Sequence, residues 1–298
     1  MAKPLEKWKT LEKKWKAAAV VGLFLVVAFI TGLFSNLTPS PDQPILNDQP
    51  LRIHFLDVGQ GDSALIELPT GQLMLIDAGT ASSGAKIVSY IKALGYEKID
   101  FVVATHPHDD HIGGMPEVFR NFLIGEVWAP KVSHTTLTFE RFLDSVEAKG
   151  LTIRTAENGK QILSAGPLLI NVVSPQVNTT YTDLNDWSAV VSITYGDIVI
   201  LFTGDAGAAQ ILAGYNQHVD ILKVGHHGSA TSTNASLVAA LTPTHAIISC
   251  GVGNTYGHPT EEALQALESS NVYRTDLQGT IVAESNGIDI IFNVSPVN

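Results

Sequence analysis

One short loop constrains what this chain can fold into more than any other segment. Residues 105–114 read Thr-His-Pro-His-Asp-Asp-His-Ile-Gly-Gly, so three histidines and two aspartates fall within six consecutive positions. The apolar residues 101–104 precede the loop and predict a buried strand that delivers it. Imidazole and carboxylate groups are the ligands that zinc and similar divalent ions prefer. The loop therefore predicts a metal site at a strand end, in preference to a polar loop with incidental histidines.

The spacing within this loop predicts two neighbouring metal positions. His106 and His108 can reach one ion, whereas Asp110 and His111 can reach a second ion a few ångström away. Two ions at such a separation can clamp the attacking and leaving oxygens of a hydrolytic displacement. The glycine pair that ends the loop supports this interpretation, because glycine lets the backbone turn closely around a site.

Together with four further motifs, the loop resembles the metallo-β-lactamase superfamily, and within it the hydrolase domain of ComEC-type competence proteins. The motifs follow one another in the expected order over roughly residues 51–285. They are Phe-Leu-Asp-Val-Gly-Gln-Gly-Asp-Ser at 55–63 with Leu-Ile-Asp-Ala-Gly at 75–79, the loop itself, Thr-Gly-Asp at 203–205, Val-Gly-His-His-Gly-Ser at 224–229 and Tyr-Gly-His-Pro at 256–259. Five motifs in order are far more specific than any one of them.

The resemblance implies a site that holds two divalent metal ions, zinc or alternatively manganese. Six residues are the predicted metal ligands, namely His106, His108, Asp110, His111, Asp205 and His258. Asp205 would bridge the two ions, and His226 is the alternative to His258. The predicted catalytic residues are Asp110, His226 and His227. Asp110 would also orient the hydroxide, and one of the adjacent histidines could complete a metal shell while the other passes a proton to the leaving group.

Two positions depart from the pattern of the resembled proteins. The competence branch usually carries aspartate where this chain has His108, so the site resembles the wider superfamily there. Many superfamily members place another histidine ligand some twenty residues before the bridging aspartate, but residues 185–188 read Asn-Asp-Trp-Ser. One metal position would therefore be completed by water, a serine hydroxyl or substrate.

The remaining acidic, histidine and cysteine side chains are predicted to have supporting roles. Asp57, Asp62 and Asp77 would form turns or orient the ligand imidazoles from outside the metal shell. The isolated histidines are expected to be structural or exposed, and they are His54, His134, His218 and His245. The single cysteine, Cys250, excludes an internal disulfide and is expected to be a small buried residue at a strand end.

The order of predicted strands and helices indicates an α/β protein. Strands come first and are then interleaved with helices, a sequence that occurs twice and fits two packed sheets with helices outside them. Helices are predicted around residues 85–94, ending at Gly95, and over residues 260–269. This is the four-layer αββα sandwich that the resemblance also implies. Every candidate ligand then follows a strand end, so all can meet at one edge.

The amino-terminal fifty residues read as a membrane anchor and a linker. Residues 17–34 carry no charge and would cover roughly 27 Å as a helix, close to the hydrocarbon thickness. The preceding residues 1–16 hold six lysines against two glutamates, which predicts a cytoplasmic tail. The proline-rich residues 35–50 predict an extended linker to a hydrolase domain at 51–298 outside the cytoplasm. A cleaved signal peptide is the alternative to an uncleaved anchor.

These features predict a single-pass, membrane-anchored, extracytoplasmic metal-dependent hydrolase that cleaves phosphodiester bonds. The resemblance points to DNA as the substrate and to DNA uptake. The net charge of the chain is −11 although the basic tail carries +4, so the rest of the chain is strongly acidic at −15, which favours a smaller phosphodiester such as a phosphocholine ester. A β-lactamase fits the motifs less well. The alternative from another class is a non-catalytic, metal-binding accessory subunit of a DNA-uptake system, which the intact ligand set argues against.

Overall fold

Two β-sheets, packed face to face, form the centre of the fold. The computed structural model describes residues 46–47 and 49–297. The strands within this part are β1 (Leu51–Phe55), β2 (Ala64–Glu67), β3 (Leu73–Ile76), β4 (Lys98–Val103), β5 (Leu123–Ala129), β6 (Ile153–Thr155), β7 (Lys160–Ala165), β8 (Leu168–Ser174), β9 (Val190–Tyr195), β10 (Ile198–Phe202), β11 (Ile221–Lys223), β12 (His245–Ile248), β13 (Asn271–Arg274), β14 (Ile281–Ser285) and β15 (Ile290–Phe292). One sheet has the order β15-β14-β1-β2-β3-β4-β5-β6 and the other β13-β12-β11-β10-β9-β8-β7.

Helices cover the outer face of each sheet. They are α1 (Gly84–Ala93), α2 (Asp109–Ile112), α3 (Met115–Asn121), α4 (Leu137–Ala148), α5 (Ala208–Gly214), α6 (Ala235–Leu241), α7 (Glu261–Ala266) and α8 (Thr275–Gln278). In α1, Ile87, Val88 and Ile91 are buried at the spacing of one helix face. The helix ends before Gly95, whose φ of 87° suits glycine.

Three hydrophobic clusters separate the layers. The central cluster contains apolar residues from both sheets, and within it the rings of Phe55 and Phe202 stack with centroids 5.9 Å apart. A second cluster lies between the first sheet and α1, α3 and α4. A third lies between the second sheet and α5, α6 and α7. The observed layer order is helix, sheet, sheet, helix, which confirms the predicted αββα sandwich.

Strand direction brings the candidate residues to one edge. Strands β3, β4 and β5 are parallel in the first sheet, and β10, β11 and β12 are parallel in the second. Parallel strands end at the same edge of a sheet. The residues that follow β3, β4, β10 and β11 include Asp77, His106, Asp205 and His227, so the fold gathers them where strands from both sheets end.

Some predicted segments differ in length or lie outside the described residues. The helix predicted over 260–269 spans only Glu261–Ala266, with Thr260 capping it by accepting a hydrogen bond from Ala263 N. The predicted tail, anchor and linker up to residue 45 lie outside the described residues. Among residues 46–47 and 49–297, no helix has the length and apolar content needed to span a bilayer.

Candidate metal centre

The histidine-rich loop is fixed by close packing against the end of β3. Ala78 N donates to His111 O at 2.7 Å, and Gly114 N donates to Gly79 O at 3.1 Å. A side chain at Gly114 would collide with the carbonyl of Ala78, so only glycine allows this approach. The loop therefore presents its imidazoles from a backbone that is held by a neighbouring strand end.

The first metal position, defined here by His106, His108 and Asp205, brings together ligands from both sheets. His106 Nε2 lies 3.0 Å from His108 Nδ1 and 3.8 Å from Asp205 Oδ2. The residues 185–188, where related proteins carry another histidine, contribute differently: Asp205 N donates to Ser188 Oγ at 3.0 Å. That serine hydroxyl therefore fixes the backbone of Asp205.

The second metal position is defined by Asp110, His111, His227 and Asp205. His227 Nε2 lies 3.2 Å from Asp110 Oδ2 and 3.8 Å from Asp205 Oδ2. His111 Nε2 lies 3.3 Å from Asp205 Oδ1 and 4.0 Å from Asp110 Oδ1. Asp205 therefore presents Oδ2 to His106 and His227 and Oδ1 to His111, so one carboxylate contacts both positions.

Two buried atoms test whether these residues fit a metal ion. His111 Nε2 and Asp205 Oδ1 are buried and have no hydrogen-bond partner within the described residues, although they lie 3.3 Å apart. Buried polar atoms are normally hydrogen-bonded, so an orphaned pair needs an explanation. The donor set combines imidazole nitrogens and carboxylate oxygens within 4.8 Å of one another. These residues fit a divalent metal ion.

Asp77 orients His111 from behind. Its Oδ2 accepts hydrogen bonds from His111 Nδ1 at 2.7 Å and from Thr105 Oγ1 at 2.6 Å, while its Oδ1 accepts one from Thr105 N at 2.8 Å. A carboxylate on the far nitrogen fixes the tautomer and the direction of a ligand imidazole. The predicted orienting position of Asp77 agrees with these contacts.

Charge is concentrated at this edge, and the pKa shifts follow from it. Burial alone would lower the pKa of His227, but Asp205, Asp110 and Asp62 outweigh burial and raise the pKa to about 10. Burial would raise the pKa of Asp205, yet His111 and His227 hold that pKa well below its usual range. Ionised carboxylates here therefore attract positive charge, which is the electrostatic condition for binding a cation.

The pKa values of His106 and His108 are lowered, in contrast to that of His227. Burial, aided by the neighbouring His111, lowers the pKa of His106 well below its usual value. Burial also lowers the pKa of the half-buried His108. A neutral imidazole is the form that binds metal, so both rings are ready to act as ligands at neutral pH.

His226 and His258 lie together beside Asp205, next to the two metal positions. His226 Nε2 is 3.7 Å from Asp205 Oδ2, and the ring centroids of His226 and His258 are 5.4 Å apart. Both line an open cavity of about 420 Å³ that also includes Asp183, Asp186 and Gln210. His108, His226 and His258 belong to none of the four close His/Asp groups found among the described residues, so a ligand role for each of them stays a prediction.

The histidine pair has an unusual backbone that separates its two side chains. His226 has φ 47° and His227 has φ 54°, both in the left-handed region that non-glycine residues rarely adopt. As a result His227 points to the second metal position and is buried, whereas His226 points to the cavity and is partly exposed. Such outliers cluster at functional sites.

Lys223 and Asp62 form a buried ion pair beside His227 that the sequence did not single out. Lys223 Nζ lies 2.7 Å from Asp62 Oδ2, and Asp62 Oδ1 lies 3.3 Å from His227 Nδ1. A lysine inside the apolar run of residues 221–224 was the available signal.

The isolated histidines and Asp57 lie outside the two metal positions. His54 is buried, with its ring nitrogens 2.9 Å from Glu67 Oε1 and 2.8 Å from Tyr90 Oη. His218 is largely exposed, and His245 packs against Tyr273 and Phe292. His134 lies at the rim, where its ring centroid is 5.9 Å from that of His108.

Asp57 and the single cysteine also lie away from the metal positions. Asp57 Oδ1 accepts a hydrogen bond from Gly59 N and so forms a turn. Cys250 is buried.

Comparison with known proteins agrees with the fold. The sequence profile described as the metallo-beta-lactamase superfamily matches residues 56–252. ComE operon protein 3 of Bacillus subtilis is 29% identical over 252 residues, which cover 77% of this chain and 32% of that protein. Competence protein ComA of Neisseria gonorrhoeae is 29% identical over 76% of this chain and 31% of its own length. The chain thus spans about a third of the length of these relatives.

Solved structures show the same fold at low sequence identity. The metallo-beta-lactamase fold protein YhfI from Bacillus subtilis has a TM-score of 0.53 and 15% identity, covering 82% of this chain and 100% of its own. A putative metal-dependent hydrolase from Parabacteroides distasonis has a TM-score of 0.51 and 16% identity, covering 76% and 93%. Because this profile matches about two thirds of the sequence, the chain belongs to the metallo-beta-lactamase superfamily, and it is related to competence proteins.

Proposed function

We propose that this protein is a two-metal phosphodiesterase that acts on DNA. The observation that carries the proposal is the shared carboxylate: Asp205 approaches His106 with Oδ2 and His111 with Oδ1, at 3.8 and 3.3 Å. Two metal positions joined by one carboxylate are the arrangement that phosphodiester hydrolysis uses. The relatives are named for competence, and DNA is the substrate that such names suggest.

Each metal position has its own set of ligands in this proposal. His106, His108 and Asp205 would hold the first ion, and Asp110, His111, His227 and Asp205 would hold the second ion. His227 takes the role that the sequence assigned to His258, because its Nε2 is 3.2 Å from Asp110. When bound, zinc or manganese would neutralise charge on the phosphoryl oxygens and make water acidic enough to attack at neutral pH.

The side chains around the metal positions position the reactants and move protons. Asp110 has 28% of its side chain exposed, so it could accept a hydrogen bond from the attacking water as well as hold the second ion. His226 faces the cavity and lies 3.7 Å from Asp205, so its Nε2 can give a proton to the departing oxygen. His258 packs beside His226 and limits the ring orientations that His226 can adopt.

A small phosphodiester is the second candidate substrate. Among the described residues, the cavity beside the metal positions is lined by Asp183, Asp186 and Asp205 and by no lysine or arginine. A long polyanion gains affinity from basic side chains along its path, and this cavity offers none. A short ester with a cationic group, such as a phosphocholine ester, would find a complementary surface there.

A substrate panel tests the proposal. The purified full-length protein, loaded with zinc or manganese, is assayed on single-stranded DNA, on bis-p-nitrophenyl phosphate and on p-nitrophenyl phosphocholine. Cleavage of DNA supports a nuclease, and cleavage of the choline ester alone supports the second candidate. The exposed His218 provides a matched control, since His218→Ala should keep the activity that His106→Ala loses. Metal binding without cleavage of any phosphodiester would favour a non-catalytic accessory subunit.

We also propose that the domain is held outside the cytoplasm by the uncleaved segment 17–34. The charge-free run and its lysine-rich flank support this orientation. Protease treatment of intact cells whose outer layers have been removed should digest the hydrolase domain and leave a short protected amino-terminal fragment. Protection of the whole chain would contradict the orientation, and a mature protein that begins after residue 34 would identify a cleaved signal peptide.

A further inference from the structure

The proposed chemistry leaves one buried charged residue without a role. Lys223 is 3% exposed, and its Nζ donates to Asp62 Oδ2 at 2.7 Å and to Val224 O at 2.9 Å. Asp62 is itself only 5% exposed. Burying an ion pair is costly, and replacing one by apolar side chains is often neutral or stabilising. A pair retained at this place therefore needs a reason other than stability.

Asp62 contacts the second metal position from two directions. Its backbone N donates to Asp110 O at 3.1 Å. Its Oδ1 lies 3.3 Å from His227 Nδ1, and the same ring nitrogen donates to Ser249 O at 3.0 Å. Because Nδ1 of His227 donates to Ser249 O, the opposite ring nitrogen, Nε2, faces Asp110 and Asp205.

The turn that carries Asp62 is built to lie against the metal loop. Gly61 has φ 135°, and a side chain there would collide with the carbonyl of Asp110. Gly79 N donates to Asp62 O at 2.8 Å, which ties the turn to the end of β3. The Gly-Gln-Gly-Asp motif at residues 59–62 therefore supports the second metal position in two ways. Its backbone binds the backbone of Asp110, and the side chain of Asp62 lies against His227.

We propose that the Lys223–Asp62 pair is a brace that positions His227 and Asp110 and makes the second metal position the tighter of the two. Lys223 holds Asp62 in place across the two sheets, since Asp62 precedes β2 and Lys223 ends β11. Within the described residues, no buried lysine–carboxylate pair supports the first metal position in this way: Nδ1 of His106 lies 3.1 Å from the hydroxyl of Thr105, which in turn donates to Asp77. This inference rests on the proposed metal binding.

Metal titration of the variant Lys223→Met tests the brace. The metal-free full-length protein is titrated with Zn²⁺ by calorimetry, and with Co²⁺, whose visible absorption reports the ligand geometry. The unaltered protein should bind in two steps of different affinity. In Lys223→Met the tighter step should weaken about 10- to 100-fold, which is the usual effect of losing a group that orients a ligand, with an altered Co²⁺ spectrum. The weaker step should stay unchanged.

Lys86→Met is the matched control, because it removes the same charge and also breaks a lysine–aspartate pair on the same turn. Lys86 Nζ lies 3.2 Å from Asp57 Oδ2 at the exposed surface. This variant should keep both binding steps. Should Lys223→Met fail to fold by circular dichroism, Asp62→Asn retains the lysine and should show the same weakened step.

Three different results would contradict either the proposed brace or the metal binding on which it rests. Unchanged binding constants in Lys223→Met, or in Asp62→Asn where that variant is used, would overturn the brace while leaving the proposed function intact. Equal weakening in Lys86→Met would show a general charge effect and would also overturn it. An unaltered protein that binds no metal would overturn the proposed function itself.

Discussion

At the scale of single residues, Asp205 has the largest expected effect on activity. It is 2% exposed and its two oxygens approach both metal positions, so no other described side chain can replace it. Asp205→Asn removes the shared charge and should lower kcat/KM for the active substrate by about a thousandfold, since metal polarisation contributes several kcal/mol. Asp144→Asn, at an exposed position of α4, should change kcat/KM little. Comparable losses in both variants would contradict the bridging role.

Variants of the two adjacent histidines should show that one residue binds metal and the other transfers a proton. His227→Gln removes a ligand and should lose metal on dialysis, with binding at least about 100-fold weaker. His226→Gln should retain its metal but lose about 10²- to 10⁴-fold in kcat, the usual contribution of a general acid. Metal content and single-turnover rates measured on both variants check the assignment. Metal loss in His226→Gln with retention in His227→Gln would reverse it.

The sequence identified the residue types of the site but not their individual places. The spacing within residues 105–114 was sufficient to group His106, His108, Asp110 and His111, because neighbours in one tight loop cannot lie far apart. Whether His227 or His258 is the metal ligand depends on how the end of a strand and a distant loop meet in the fold. The left-handed backbone at residues 226–227 directs His227 to the metal position, and two adjacent histidines in a sequence do not predict such a backbone.

At the scale of strands and helices, a polar cluster between β1, β2 and α1 predicts a stability change at low pH. A hydrogen bond from His54, with further ones from Tyr96 and Arg52, holds the pKa of Glu67 at about 2. A carboxylate with a lowered pKa contributes stability above its unfolded pKa, and that contribution is lost as the pH falls from about 4.5 towards 2. Glu67→Gln should cost about 1–2 kcal/mol at neutral pH and nothing near pH 2. Urea unfolding across this range measures the difference, and a pH-independent difference would contradict it.

Packing between the sheets predicts a second change at this scale. Phe202 at the end of β10 is 2% exposed and stacks on Phe55 of the other sheet. Phe202→Ala should lower the free energy of unfolding by about 3–5 kcal/mol, because it leaves a cavity in the central layer. Urea denaturation measures this loss. Ile291→Ala, at a 65% exposed position of β15, is the control and should cost little.

Element prediction succeeded where local patterns were strong. The apolar spacing and glycine stop of α1, and the buried strand ahead of the histidine-rich loop, which is β4 in the structure, follow from the sequence alone. The strands β6, β14 and β15 are partly buried or alternate between buried and half-buried residues, so their local patterns are weak. β14 pairs with β1 across more than two hundred residues, so no local window could reveal that pairing.

At the scale of the whole molecule, the metal positions and the fold should stabilise each other. The ligands come from both sheets, and the buried carboxylates Asp62, Asp77 and Asp205 crowd the edge where they meet. A ligand that binds only the folded state raises stability with its concentration, by about 2.7 kcal/mol at one hundred times its Kd. For a domain of this size, that corresponds to a Tm higher by about 5–10 °C. Calorimetry with Zn²⁺ and with a chelator should give this difference, and His106→Ala with His111→Ala should abolish it while His218→Ala retains it. An equal Tm with and without metal would mean that the two sheets already meet at this edge without any cation, and that the orphaned atoms of His111 and Asp205 need another explanation.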